Sequence, residues 1–304
     1  MAERAKRTPL RSAALARELE RLLAEVAGSV DDVVDRTYPS PESLHQLHRE
    51  MRRLRHALSI WERLLTTRHR ALVRPLDRRL KRLARLVGRV RDRDVMIELI
   101  EGPSLPRPSG PDVEAVARLR ARLRDESRTG RELLGVFLRS ERDAHLFEGL
   151  REGLELRTRG ASGAHLTHLL NDEQARRHDD VRVAHRKARR RPNSARLHRL
   201  RIQVRRLRHL AEVRTRLDPT DPETFPPAVR RIQTRLGRLH DLDVVLAGLD
   251  AELRSTPWAR SLKHERRQVR ATIRTELRTR RWPALPPPTP APVRPPPRAR
   301  RARS

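Results

Sequence analysis

Arginine and histidine recur in two short segments at spacings that gather them on one side of a helix. His45, His48, Arg49, Arg52, Arg53, Arg55 and His56 crowd the run from His45 to His56, and His198, Arg201, Arg205, Arg206, Arg208 and His209 crowd the run from His198 to His209. At about 100° per residue, the first set spans one continuous arc, and Leu44, Leu47, Met51, Leu54 and Leu58 lie opposite. No Asp or Glu falls in the cationic arc; Glu50 lies outside it. A solvated helix face usually mixes signs at i, i+4, because mixed charge lowers repulsion. A single-signed arc that occurs twice points instead to an anion. Arginine suits phosphate because its planar fork donates to two oxygens at once and stays charged at physiological pH. Imidazole can donate from either nitrogen and gains charge beside an anion.

Other chemistry has weaker support. His45 and His48 could ligate a metal, but the surrounding arginines repel cations and no carboxylate shares their face. His240-Asp241 resembles the dyad of metal phosphohydrolases, yet the matching positions of the first half are Arg91-Asp92 and no further ligand set is visible. Asp92, Asp94, Asp241 and Asp243 follow Gly88 and Gly237 closely. That order predicts a helix stop at each glycine and an acidic cap on the next helix, with the acids also steadying nearby arginines; a Mg²⁺ site is the sharper alternative. There is no glycine-rich phosphate loop or dinucleotide fingerprint. With no cysteine, disulfides, thiolate zinc, iron–sulfur ligation and a cysteine nucleophile are all excluded. Trp61 and Trp258 are expected to pack rather than stack on bases. No cofactor is expected.

The elements that must carry these residues are helical. Leu15, Leu19, Leu22, Leu23 and Val26 form an amphipathic run predicted to end near Gly28. Ser40-Pro41 reads as a cap and first turn. Leu44, Leu47, Met51, Leu54, Leu58, Trp61 and Leu65 then recur at alternating steps of three and four, a heptad seam. Leu72, Leu76, Leu80, Leu83 and Val87 predict a helix ending at Gly88, with another from about Asp92. Residues 102–111 are too rich in Pro and Gly to be helical. Helix resumes from Asp112 to about Arg157, with a bend near Gly130, and a Gly/Ser break at Gly160–Gly163 opens the second half. No hairpin signal separates alternating runs, so strands are not expected.

In 304 residues, 70 Lys and Arg against 39 Asp and Glu leave a net charge of +31, and only Lys6, Lys81, Lys187 and Lys263 are lysines. Such a balance favours polyanionic partners. Aromatic residues are 2%, too few for a base-stacking surface, while 36% apolar residues suffice for a core. From Pro283 onward Pro and Arg cluster without apolar periodicity, which predicts a disordered or polyproline-like tail over 283–304. No run is apolar enough to span a membrane, and a cytoplasmic location is expected.

The segments repeat in order. His45 to His56 matches His198 to His209 at an offset of 153. Gly88-Arg-Val-Arg-Asp-Arg-Asp-Val95 matches Gly237-Arg-Leu-His-Asp-Leu-Asp-Val244 at an offset of 149. Two motifs repeating at nearly one offset imply duplicated helical lobes, about 9–158 and 161–282. The paired motifs resemble the conserved histidine α-helical domain family, CHAD, across most of residues 10–280. The resemblance implies an all-α fold of two helical-bundle lobes, related by a pseudo-twofold around a basic central pore or groove. It also implies non-catalytic binding of inorganic polyphosphate, and an association with polyphosphate granules fits that ligand. The ligand-facing residues it implies are His45, Arg52, Arg53 and Arg55, with His198, Arg201, Arg205, Arg206 and Arg208 in the second lobe; His48, Arg49, His56, Arg91 and His209 lie beside them in the motifs. The chain departs from the pattern at His48, where the second lobe keeps Arg201. A shorter, partly charged imidazole implies weaker binding in the first lobe, or binding that strengthens as pH falls between about 8 and 6. No Glu-x-Glu-x-Lys of a fused triphosphatase is present. Two alternatives stay open: a nucleic-acid module driven by the Arg-rich tail Arg294–Arg303, and metal-dependent hydrolysis at Asp92/Asp94 or Asp241/Asp243.

Overall fold

The structure is a computed structural model that describes residues 12–36, 39–64, 67–143, 145–155, 163–217 and 227–279. The tail over 283–304 lies outside these residues. Among the described residues there are ten helices and no strand: α1 (Ser12–Val34), α2 (Pro41–Leu64), α3 (Thr67–Glu101), α4 (Asp112–Asp143), α5 (Leu146–Glu155), α6 (Gly163–Arg190), α7 (Ser194–Leu217), α8 (Pro227–Gly248), the short α9 (Ala251–Arg254) and α10 (Pro257–Thr279). The all-α expectation holds. At the start of α2, Ser40 Oγ accepts the Ser43 backbone N–H at 3.1 Å, the capping geometry expected of Ser before Pro. The seam behind it is buried from Leu44 through Trp61. The breaker-rich stretch 102–111 is non-helical, and α4 begins at Asp112 as expected.

Glycine misled the boundaries at three places. Helix α1 runs through Gly28 to Val34, because Val30, Val33 and Val34 prolong the buried stripe. Helices α3 and α8 run unbroken through Gly88 and Gly237. An interior glycine costs only about 1 kcal/mol against Ala, which the flanking packing of Val87, Val90, Leu236 and Leu239 outweighs. Gly130 lies inside α4, where a Cβ would meet Val90 Cγ2 of α3 at 3.2 Å, so it marks a close approach of helices. Helix α4 ends at Asp143 and α5 begins at Leu146, with His145 before it at a φ of 53°.

It follows that the four aspartates are mid-helix residues and cap nothing. Asp94 is buried and accepts from Ser127 Oγ at 2.5 Å and from Arg131, tying α3 to α4. Asp243 accepts from Arg266 Nε at 2.5 Å, tying α8 to α10. The part of the expectation in which these acids hold arginines in place is therefore correct for Asp94 and Asp243.

Helices α2, α3 and α4 pack in sequence, as do α7, α8 and α10. The apolar clusters nonetheless cross the line between the halves. The first, built on α1 to α5, also takes Leu166 and Leu170 from α6 and Leu210, Val213 and Leu217 from α7. A second joins α6, α7, α8 and α10. The third sets Met96, Ile100, Val116, Leu119 and Leu123 against Leu242, Val245, Leu253, Trp258 and Leu262. This mutual burial brings the polar faces of α2 and α7 together, with α3 and α8 beside them.

Candidate anion-binding site

Helices α2 and α7 are neighbours, and Arg52 and His56 of α2 approach Arg205 and His209 of α7. Arg52 of α2 is half-buried there, and its strongest like-charged neighbours are Arg205 and Arg201 of α7. Burial first, then those two charges, push the Arg52 guanidinium down to about 10. Burial likewise lowers Arg201, with Arg205 adding repulsion, and lowers Arg205, with Arg206 adding repulsion. A guanidinium is lowered when its charge is poorly solvated and poorly paired. The site thus concentrates positive charge that the chain itself leaves under-compensated.

Imidazoles complete the cluster. Arg52 Nη2 donates to His48 Nε2; guanidinium has no acceptor, so the imidazole nitrogen must carry the lone pair. Burial, then Arg52 and Arg205, hold His48 at about 4. His45 is lowered by burial and by Arg91. The rings of His56 and His209 lie 4.6 Å apart across the α2–α7 contact. Burial, then His209, drive His56 to about 3, and burial also lowers His209. His198 faces His240 of α8 at 5.9 Å between ring centres, and His240 is held at about 4 by burial, Arg201 and His198.

These values revise the expectation drawn from His48. An imidazole held near 4 takes up its proton only well below the ordinary histidine range near 6.5. Affinity for long-chain polyphosphate, whose interior phosphates stay ionised, is therefore expected to stay flat from pH 8 to 6 and to rise only toward the acid side. Isothermal titration showing strengthening within that window would contradict the neutral His48.

The expected residues do not all converge. His45, His48, Arg52, His198, Arg201 and Arg205 share one electrostatic neighbourhood. Arg91 stands beside His45 and His48, but it is buried and forms a bidentate pair with Glu98 at 2.7 and 2.9 Å. Arg208 donates through Nε to Glu212 at 2.8 Å, and Glu212 also takes His209 Nδ1 at 3.1 Å. Burial would raise Glu212, but His209 and Arg208 hold it down at about 2. Arg53 is lowered by burial and by Arg216, which places it away from Arg201. Arg49 and Arg206 are exposed, and Arg55 keeps a buried Nε with no hydrogen-bond partner among the described residues. Arg208, Glu212, Thr215 and Gly237 line a groove of about 670 Å³ between α7 and α8.

Residues from outside the two motif helices enter the site. His240, set aside as half of a metal dyad, faces His198 and Arg201. Asp92 and Asp241 occupy matched positions beside Arg52 and Arg201; burial raises both, against the opposing charges of the arginines. The repeat offset pairs His48 with Arg201 and Arg91 with His240. Each half therefore supplies one arginine and one histidine at these positions, with the two types exchanged between its helices. His48 rests on Gly88, where a Cβ would lie 3.4 Å from its Cε1; a Cβ on Gly237 would meet nothing within 4 Å. The first half fills with imidazole a space that the second leaves open.

Among the described residues no group of three or more His, Cys, Asp or Glu side chains is placed to hold a metal, and no helix is long and apolar enough to cross a membrane. Trp61 and Trp258 are buried, as expected of packing residues.

Comparison with known proteins places this geometry in context. The family model described as CHAD domain matches residues 13–247. Among solved structures, the chain is similar to the crystal structure of the CHAD domain from the plant Ricinus communis. The two share 21% identity at a TM-score of 0.60, covering 94% of this chain and 99% of that one, a likeness of fold. No curated protein matches the chain.

Proposed function

The chain belongs to the CHAD domain family, and on that premise we propose that it binds inorganic polyphosphate, without catalysis, through the cationic cluster between α2 and α7. One observation carries the reading: Arg52, Arg201 and Arg205 share a half-buried site in which burial pushes each guanidinium below its usual value, with like charge adding to it, from Arg205 and Arg201 on Arg52, from Arg205 on Arg201 and from Arg206 on Arg205. Such a cluster is relieved by a ligand that brings dense negative charge and multiple acceptor oxygens. Inorganic polyphosphate offers both and no base to read. Single-stranded nucleic acid normally calls for stacking side chains, and here Trp61 and Trp258 are committed to the core. The reading extends to a cytoplasmic protein associated with polyphosphate granules.

The nucleic-acid alternative predicts a different competition result. Excess duplex DNA is expected to leave long-chain polyphosphate bound, and a chain lacking residues 283–304 is expected to retain most of its affinity. Displacement by DNA, together with loss of binding on truncation, would transfer the function to the tail. Affinity should also fall steeply with salt as counterions are released.

A further inference from the structure

A second cationic groove lies on the far flank of the second half, between the end of α6 and the face of α10. Arg190 and Arg191 line one wall; Arg267, Arg270, Arg274 and Arg278 line the other, around a space of about 590 Å³. Neither α6 nor α10 supplies a member of the central cluster. The four arginines of α10 step by three, four and four residues, a straight ladder rising about 16 Å along the helix. The acids that share α10 are engaged elsewhere: Glu265 accepts from Arg238 at 2.9 Å and Glu276 from Arg235 at 2.5 Å, both toward α8. No carboxylate pairs with any of the six arginines among the described residues. Their own contacts are with backbone: Arg270 Nε donates to Pro192 O at 2.8 Å and Arg267 Nε to Lys263 O at 3.3 Å. Arg270 is thereby fixed as the floor, while Arg267, Arg274 and Arg278 stand exposed above it.

The groove is joined to the central cluster around the start of α7. Arg266, next to Arg267, donates to Ser194 Oγ at 3.2 Å, and Ser194 opens α7 one turn before His198. Asn193 lines the groove and His198 stands five residues further on, a rise of about 7.5 Å along α7, so a phosphate chain leaving the cluster at His198 has the groove within reach. Here the free end of a bound chain would meet the groove as an intramolecular event, at high effective concentration.

Resting on the reading of the central cluster, we infer that the α6–α10 groove is a second phosphate-chain site, which engages the overhanging end of a long polyphosphate already held between α2 and α7. Short chains fill the centre alone; long chains bridge both sites, and the gain appears as a preference for length.

The test compares the full chain with its Arg267→Ala/Arg274→Ala/Arg278→Ala variant, using tripolyphosphate and long-chain polyphosphate as separate probes. Affinity for the long chain is expected to fall roughly tenfold or more with a shallower salt dependence, while affinity for tripolyphosphate is unchanged. If both affinities match wild type, the outer groove is overturned and the central reading stands. If neither probe binds wild type, the central reading fails and takes this inference with it. A variant that loses duplex DNA binding but keeps its full preference for long polyphosphate would overturn the inference by assigning the groove to nucleic acid.

Discussion

Changing Arg52→Glu and Arg205→Glu together is expected to reduce polyphosphate affinity by at least a hundredfold. Hydrogen bonds to charged groups contribute roughly 1.5–3 kcal/mol each, so losing one from each helix removes about 3–6 kcal/mol before any repulsion from the new carboxylates. The substitution should not unfold the protein. Arg52 and Arg205 already repel one another at a half-buried site; two glutamates there repel each other and Asp92 in turn but gain attraction to Arg201, so the net electrostatic change is small. The thermal midpoint is accordingly expected to stay near that of wild type while binding disappears. Fluorescence anisotropy with a labelled polyphosphate, run beside a melting curve, reads both effects. Wild-type affinity in a folded double variant would remove the central cluster from the function.

Trp258→Ala is expected to cost about 3–5 kcal/mol of stability, the range for deleting a large buried aromatic. Trp258 is buried between the halves. Its indole N–H donates to Pro106 O at 2.7 Å, and its backbone N–H donates to Asp112 Oδ2 at 2.7 Å. Both acceptors belong to the first half of the chain, although the tryptophan belongs to the second. Because the third apolar cluster is built jointly, calorimetry should show one transition moving downward as a whole, by on the order of 10 °C. A variant in which only part of the unfolding heat shifts would mean that the halves melt separately.

Much of the site was legible because its signal is local. The buried seams of α2 and α7 fixed which side of each helix faces the core, and the acid-free arcs of the two motifs named Arg52 on α2 and Arg201 and Arg205 on α7. A helical wheel sees one helix, however. Asp92, Asp241 and His240 enter from α3 and α8, and their role depends on which helices neighbour α2 and α7. Glu212 lies one turn beyond the second motif and claims Arg208 and His209, so arginines that look equivalent on the wheel divide into unpaired and paired. The exchange of His48 and Arg91 for Arg201 and His240 was present in the aligned repeats, but it acquires meaning only once each pair is seen side by side. Glycine was over-read as a helix end at Gly28, Gly88 and Gly237. At these positions the tertiary packing of the flanking Val and Leu residues outweighs a propensity penalty of about 1 kcal/mol.

The shared apolar cluster also imposes an order on biosynthesis. Met96, Ile100, Val116, Leu119 and Leu123 are made early, but the side chains that cover them run from Leu242 to Leu262. At about 5–20 residues per second, the nascent chain carries that uncovered patch for on the order of ten seconds before its partners exist. The first half must therefore wait, partly assembled and strongly basic, for a cover encoded more than a hundred residues downstream.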